Sequence, residues 1–297
     1  MKSRWLTNIG LLVIVLITSL YSWTIFQKEP VESSKFELTN FKLSDFDELK
    51  IDFPSKISTH FKIIDNHWRM LSPHKARADQ LYVYRILSIL ATSSLEKLSA
   101  DDLSKYGLDQ PNLKMTFLGN NLKEVILFGT YNPINEDQYV LYKDNVFLIS
   151  GGFSETASFM PVELIEKNPI AKSEIIKSFD FSRLEQWQDS RLKLNYSNNV
   201  WSVEGKSLSI VQFDVNEWYE MTWKNIPAKS VEPYKMDQRV GYKSFDILLN
   251  NKKLTFYRIQ ESPELLLFRK DEGLLYHFPS DLGFTMLNPH VQQKEEN

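Results

Sequence analysis

Few residues in this sequence have the types and spacing that catalysis requires. There is no cysteine, and there are only five histidines among 297 residues, which excludes thiol catalysis and thiolate metal sites. His60, His67 and His74 could bind zinc if they clustered, but no H-E-x-x-H pattern accompanies them. No G-x-S-x-G motif is present, while a Ser–Lys dyad has no fixed local signature and stays open. We therefore predict no catalytic residue, no metal and no cofactor.

Residues 73–80 form the stretch most suggestive of ligand binding. His74, Lys75 and Arg77 come just before a predicted helix N-terminus, where backbone N–H groups also attract anions. These three side chains are candidate anion-binding residues. A solvated basic loop with Asp79 as the helix cap is the simpler alternative.

The second half of the chain is rich in tryptophan. Aromatic clefts bind sugars and peptides, so an aromatic ligand groove is one interpretation. Helical spacing of several of these residues favours the other, a core face packed on a sheet. The candidate groove residues are Trp187, Trp201, Trp218 and Trp223.

An uncharged stretch, Trp5 to Phe26, follows a cationic start. As a helix it would be about 33 Å long, enough for a hydrocarbon core of about 30 Å. Bulky residues at its end disfavour a cleaved signal peptide, the alternative. We expect a single-pass anchor in a bacterial inner membrane, with residues 1–4 in the cytoplasm and the bulk of the chain in the periplasm.

Charge argues against a nucleic-acid partner. Lys2, Arg4 and Lys28 carry the only charges in residues 1–28, so the remainder has a net charge of −6 rather than −3. A nucleic-acid-binding protein would present a basic face. We expect a membrane or envelope protein complex as the partner instead.

The rest of the chain consists mainly of short alternating segments joined by tight polar turns, which predicts antiparallel meanders. Residues 234–238 repeat the pattern of residues 106–110 at an offset of 128 positions. Trp201 takes the place of Trp68. We therefore expect a tandem duplication. The predicted segments are a stalk (27–44), a first repeat (45–152), a connector (153–179), a second repeat (180–288) and a tail (289–297).

Turn and packing residues of the first repeat carry a family resemblance. The run from Trp68 to Pro73, then Ala78-Asp79 and the later turn, resemble the bacterial envelope family catalogued as domain of unknown function 4340. The matching residues are Trp68, Pro73, Asp79, Tyr106, Gly107, Leu108, Asp109 and Pro111. Some members are found beside ABC-type permeases of the gliding-associated kind. The resemblance implies a membrane-anchored accessory subunit and transfers no catalytic residue.

Taken together, the sequence predicts an α+β protein. We expect a transmembrane helix followed by two tandem repeats, each an antiparallel sheet packed on one helix. The function we expect is that of a non-enzymatic extracytoplasmic accessory or binding protein, a partner of an ABC-type transporter or another envelope complex. A periplasmic glycan- or peptide-binding module is the alternative, and a Ser–Lys hydrolase is a third.

Overall fold

The computed structural model describes residues 2–26, 35–250 and 252–293. Predictions for residue 1, for the first part of the stalk (27–34) and for the end of the tail (294–297) lie outside these ranges. The described chain is mixed α and β, mostly antiparallel sheet with few helices. The predicted α+β class is confirmed at that level.

The first half contains the following helices and strands: α1 (Lys2–Phe26), β1 (Phe36–Glu37), β2 (Glu48–Asp52), β3 (Thr59–Ile64), β4 (His67–Ser72), β5 (Ala76–Arg77), α2 (Gln80–Leu87), β6 (Ser93–Ser94), β7 (Lys97–Ser99), β8 (Leu113–Gly119), β9 (Leu122–Tyr131), β10 (Asp137–Tyr142), β11 (Asn145–Ser150) and α3 (Gly152–Ala157). Short 3₁₀ turns lie at Leu43–Asp45, Ser88–Ala91, Leu103–Tyr106 and Pro161–Leu164.

The second half contains β12 (Ile176–Asp180), β13 (Lys193–Ser197), β14 (Val200–Glu204), β15 (Leu208–Ile210), α4 (Gln212–Tyr219), β16 (Ser230–Pro233), β17 (Lys243–Leu249), β18 (Lys253–Gln260), β19 (Glu264–Arg269), β20 (Leu274–Pro279), α5 (Ser280–Leu287) and β21 (Val291–Gln293). A 3₁₀ turn lies at Glu185–Trp187, and α4 continues into a π-helical turn at Glu220–Lys224.

Helix α1 covers the segment that we predicted to be a membrane anchor. No helix in the described ranges combines the length and the mean hydropathy that crossing a membrane requires. That finding is against the predicted span from Trp5 to Phe26. Within α1, the Thr18 hydroxyl donates to the carbonyls of Ile14 and Val15.

Two large antiparallel sheets follow. The first has the strand order β5-β4-β3-β2-β8-β9-β10-β11-β7, and the second has the order β14-β13-β12-β17-β18-β19-β20-β16. If β4 is matched with β14, the remaining strands of the two sheets correspond one to one and follow each other in the same order. The order agrees with the predicted duplication, but common ancestry of the two halves stays a prediction, as do the domain boundaries.

Asp65-Asn66 and Asn198-Asn199 are turn-forming pairs between alternating segments, which predicts a hairpin at each, and both hairpins form. Asp65 and Asn66 link β3 to β4 with φ of 52° and 62°, and Asn198 and Asn199 link β13 to β14 with φ of 50° and 62°. Two successive residues of positive φ make the turn that matches the twist of paired strands, and Asn and Asp tolerate that conformation best.

Both sheets contribute to one continuous buried cluster. Trp68 and Trp201 lie in it at matching places, 2% and 1% exposed. The spacing of Leu81, Tyr84, Ile86 and Leu87 in the sequence predicts one buried face for the first helix, and the structure corrects this prediction. Leu81 and Tyr84 are exposed, while Val83 points into the core. Helix α2 is short and lies on the sheet with a different face from the one that longer helical spacing indicates.

Candidate functional site

The corner between β4 and α2 is built around Gln80. Its side-chain Oε1 accepts a hydrogen bond from the backbone N–H of Trp68 (2.9 Å), and its Nε2 donates to the Trp68 carbonyl (2.9 Å). Asp79 caps α2 by accepting from the backbone N–H groups of Leu81 and Tyr82, as the sequence predicts. These contacts fix the end of the helix against the edge of the first sheet.

The connector folds back along the same edge. The backbone N–H of Asp79 donates to the Leu164 carbonyl (2.8 Å), and the N–H of Glu166 donates to the Arg77 carbonyl (2.9 Å). Ala78 and Ile165 form an antiparallel bridge between these bonds. The connector is therefore held to the sheet by backbone bonds, and its next residues form a wall opposite β4.

A cleft of about 610 Å³ lies between that wall and the sheet edge. Side chains of β4, β5 and the first turn of α2 line one side, and residues of the stretch 166–174 line the other. This volume lies within the range of small-molecule sites. The cleft is the strongest candidate for a ligand site in the part of the chain that the structure describes.

Two arginines lie side by side at the cleft. Arg69 on β4 and Arg77 on β5 are directly opposite each other in the antiparallel pair, and like charges in that position destabilise a sheet. Arg69 is half-buried, and its side chain has no hydrogen bond or ion pair with any described residue; its Nε is fully buried. The pairing leaves a cation that needs a counter-charge.

Arg77 is partly neutralised by the second sheet. Its Nε donates to Glu272 (2.6 Å), and its Nη2 donates to the Asn168 carbonyl (2.7 Å) and to the Tyr276 hydroxyl (3.0 Å). Its Nη1 is buried without an acceptor among the described residues. Although burial opposes ionisation, Tyr276 and Glu272 raise the pKa of Arg77. Arg77 therefore keeps its charge while it joins the two halves.

The ion network extends into the β19–β20 turn. Arg269, 1% exposed, donates to the Pro169 carbonyl (2.5 Å) and to Asp271 (3.0 Å). Burial alone would raise the pKa of Asp271, but Arg269 and Lys252 lower it to about 2. Burial raises the pKa of the Tyr276 hydroxyl above its ordinary value. The network holds the connector at a fixed place behind the cleft.

Comparison with known proteins gave one match. The profile of the family described as domain of unknown function (DUF4340) matches residues 68–258, well over half of the chain. The chain belongs to the DUF4340 family. Neither the curated proteins nor the solved structures that were compared gave a match. The matched region starts at Trp68, beside the cleft, and runs through most of both sheets.

The residues that suggested DUF4340 have structural places. Trp68 lies in the core, Pro73 follows a cis peptide bond, and Asp79 caps α2. Tyr106, Gly107 and Leu108 form a turn that packs on β9, while Asp109 and Pro111 lie in the loop that follows. Gly107 has φ of 64°, and a Cβ there would come within 2.6 Å of the Thr130 side chain, which explains why glycine fits.

The predicted anion-binding residues are not gathered in one place. Arg77 lines the cleft of this DUF4340 chain, while His74 and Lys75 lie in the β4–β5 loop outside the lining. Sequence reasoning missed Arg69 and Lys172, which do line it. Two arginines eight positions apart do not indicate a shared site in the sequence, because they meet only when β4 pairs with β5.

The three histidines are also separated. His60 pairs with Ser72 at one end of the β3–β4 hairpin, and His67 pairs with Ile64 at the other. His60 and His67 each lie near the start of a strand, but antiparallel strands begin at opposite ends of a hairpin, so the clustering that a zinc site would require does not form. His60 bonds to Glu48 (2.8 Å) instead. No cluster of three potential metal ligands occurs in the described ranges.

The tryptophans of the second half belong to the core of the DUF4340 fold. Trp201, Trp218 and Trp223 are at most 2% exposed. The indole N–H groups of Trp187, Trp218 and Trp223 donate to carbonyls at the end of α5, at 2.9, 2.7 and 3.0 Å. These side chains anchor α5 to the sheet, so they do not line an open groove.

A smaller cavity of about 230 Å³ contains serines and one lysine. Ser154 is buried there, and its hydroxyl bonds to the Gln138 amide oxygen (2.5 Å). Lys56 lies over the Phe53 ring, with its Nζ 5.2 Å from the centroid. An amide oxygen is not a general base, so this arrangement offers no activated nucleophile at Ser154.

Proposed function

We propose that this protein is a non-enzymatic binding protein and that the cleft at the β4–β5 edge is its ligand site. One observation carries the proposal. Arg69 lies in a cavity of about 610 Å³ without a hydrogen bond or ion pair to any described residue. A half-buried charge without a counter-charge is costly for a fold, and such a group in a cleft marks a place where a ligand is recognised.

The chemistry of the lining supports binding rather than catalysis. A guanidinium remains protonated in proteins, so it cannot act as a general base. Gln80 and Asp79 are occupied by backbone groups. The ring of His67, at the rim, bonds to the Asp65 carbonyl (2.9 Å). These groups can orient a ligand, but none forms the nucleophile–base pair that covalent catalysis requires.

A fragment screen by protein-observed NMR on the full chain tests the binding role. We expect several neutral and charged fragments to shift the backbone amides of Ala78, Gln80 and Asn168 together. The amides of the smaller cavity, such as Ser154, provide the internal comparison. Fragments that bind nowhere, or that shift amides throughout the sheets without preference, would remove the support for a ligand site here.

The transporter partnership that the DUF4340 resemblance implies stays a prediction. Crosslinking in cells followed by copurification of the full chain measures it. Recovery of a permease subunit in amounts comparable to the bait would support an accessory role. Recovery of the bait alone under conditions that capture known membrane complexes would count against it. The cleft proposal does not depend on this result, because it rests on the chain's own residues.

A further inference from the structure

The charges around the cleft are not balanced. Four carboxylates line it, and three of them have other partners. Asp79 accepts from the first N–H groups of α2, Glu166 accepts from Asn168, and Glu174 lies 3.6 Å from Arg269. Asp65 is in the exposed hairpin turn at the rim. Glu174 also acts on Arg77 through space, but none of the four carboxylates forms an ion pair with Arg69 or Lys172.

Two of the cations that line the cleft, in contrast, have no ion-pair partner among the described residues. Arg69 forms no ion pair with the described residues, and neither does Lys172 on the opposite wall. The Nε of Arg77 donates to Glu272, which neutralises that side of the guanidinium. Its Nη1, on the other side, lacks an acceptor among the residues described. Arg69 and Lys172 are therefore the two cations of the lining that form no ion pair with a described carboxylate.

We infer that the cleft binds an oxyanion group, a phosphate or a carboxylate, between Arg69 and Lys172. This inference rests on the proposed binding role and names the ligand chemistry of the same site. Guanidinium groups match oxyanions through parallel N–H bonds. The anion removes the repulsion between Arg69 and Arg77, which the sheet otherwise holds at adjacent positions.

The second sheet supplies an internal contrast. Gln212 binds the backbone of Trp201 as Gln80 binds that of Trp68. The residue after Trp201 is Ser202 rather than arginine, and the residue three before Gln212 is Ser209. The corner can therefore be built without the two arginines, so packing of the corner does not require their charge.

Calorimetric titration of the full chain with inorganic phosphate, and separately with acetate, tests the inference. We expect saturable binding of at least one of them. Arg69→Gln and Lys172→Gln should each weaken it by about tenfold or more, as expected when a charge-assisted hydrogen bond is lost. Arg85→Gln is the matched control, since Arg85 is exposed on α2 and outside the cleft lining, and it should bind as the wild type does.

The two anions distinguish the two sources of the group. Binding of phosphate alone assigns a phosphorylated ligand, and binding of acetate alone assigns a carboxylate. Absence of binding for both, or an equal loss in the Arg85→Gln control, would overturn the inference. If neutral fragments still bind in the cleft under those conditions, the binding role stands and only the anion assignment fails. Circular dichroism of each variant verifies that the fold is retained.

Discussion

The outer edges of the two sheets share one plan and differ in charge. In both, a glutamine at the start of a helix holds the backbone of a buried tryptophan on the penultimate or outermost strand. In the first sheet the edge strand β5 carries Arg77 beside Arg69, whereas in the second sheet the corresponding stretch, β15, pairs with β21. The glutamine–tryptophan contact holds the corner in both sheets, whereas the paired arginines occur only in the first.

This difference indicates where function is located. The second sheet ends at β14, and the neighbouring β15 pairs with a strand from the end of the described chain in a separate two-stranded sheet, with Ser209 opposite Gln292. The first edge is closed by the connector, which leaves a cleft behind it. Features that break an otherwise consistent design are where functional sites are expected. The edge of the first sheet, with Arg69 and Arg77, differs in this way from the shared plan, and the edge of the second sheet shows that plan without the arginines.

The largest expected effect follows from removing Arg77. Arg77→Ala leaves Glu272, 11% exposed, without its main cation, and such a loss costs about 3–5 kcal/mol in unfolding free energy. Ser209→Ala, the matching change at the other edge, should stay within about 0.5 kcal/mol. Urea denaturation of both variants measures this. Equal effects at the two edges would contradict the role of Arg77 in joining the two halves of the chain.

The glutamine contacts should matter in both halves. Gln80→Ala and Gln212→Ala each remove the acceptor for the backbone N–H of a tryptophan, Trp68 or Trp201, which costs about 1–3 kcal/mol when the group is buried. Gln80 is the less exposed of the two, so we expect its loss to cost more. Denaturant unfolding compares them. A neutral Gln80→Ala would show that the shared contact does not hold the corner.

The two helices at these edges differ in their N-terminal caps. Asp79 caps α2, whereas Val211 precedes α4 without a side-chain cap although its φ of −98° and ψ of 124° suit one. Asp79→Ala should cost about 1 kcal/mol, and Val211→Asp should stabilise by up to about the same amount. Thermal melts report both changes. A loss of stability in Val211→Asp would mean that the exposed valine has a packing role.

Acid should weaken the ion pair between Asp271 and Arg269 in the second sheet. The pKa of Asp271 is about 2 when folded, against an ordinary value of 3.8, so its charge stabilises the fold above pH 4 and the contribution disappears as pH falls from about 4 to about 2. The effect is of order 1 kcal/mol, reduced by solvent screening. Unfolding of Asp271→Asn should differ from the wild type at neutral pH and converge with it in acid.

The control for the acid effect is Asp144→Asn, since Lys143-Asp144 takes the place of Lys270-Asp271 in the first half and Asp144 is exposed. Its stability should follow that of the wild type across the same pH range. A gap between the wild type and Asp271→Asn that stays constant down to pH 2 would contradict the role given to the Asp271 charge.

The smallest effect on stability is expected at the residue that matters most for binding. Arg69→Gln removes a repulsive neighbour of Arg77 and no bond to a described residue. We expect a change within about 0.5 kcal/mol, neutral or stabilising, as measured by urea denaturation without ligand. A loss of several kcal/mol would indicate that Arg69 is a structural residue.

Local features of the fold could be predicted from the sequence. Asp65-Asn66 and Asn198-Asn199 encode hairpins through their own backbone preferences, and Asp79 caps a helix through its own neighbours. The buried face of α2 was predicted less well, because Leu81 and Tyr84 are apolar but exposed. Which face a short helix buries is decided by the sheet beneath it.

The cleft itself could not be predicted, since each part depends on distant pairing. Arg69 meets Arg77 only through the β4–β5 register, and Arg77 meets Glu272 across 195 positions of the chain. The opposite wall exists because the connector bonds back to β5. The sequence indicated a basic stretch near Arg77, but long-range contacts determined which of its charges are neutralised and which remain available.

An NMR titration of the full chain with inorganic phosphate, following the arginine Nε–Hε signals, tests the anion site most directly. We predict that the signals of Arg69 and Arg77 shift together and saturate, while that of Arg85 stays in place. Unchanged signals at Arg69 at saturating phosphate and in a parallel acetate titration, or equal shifts at all three arginines, would contradict the claim that the charged edge of the first sheet is the binding site.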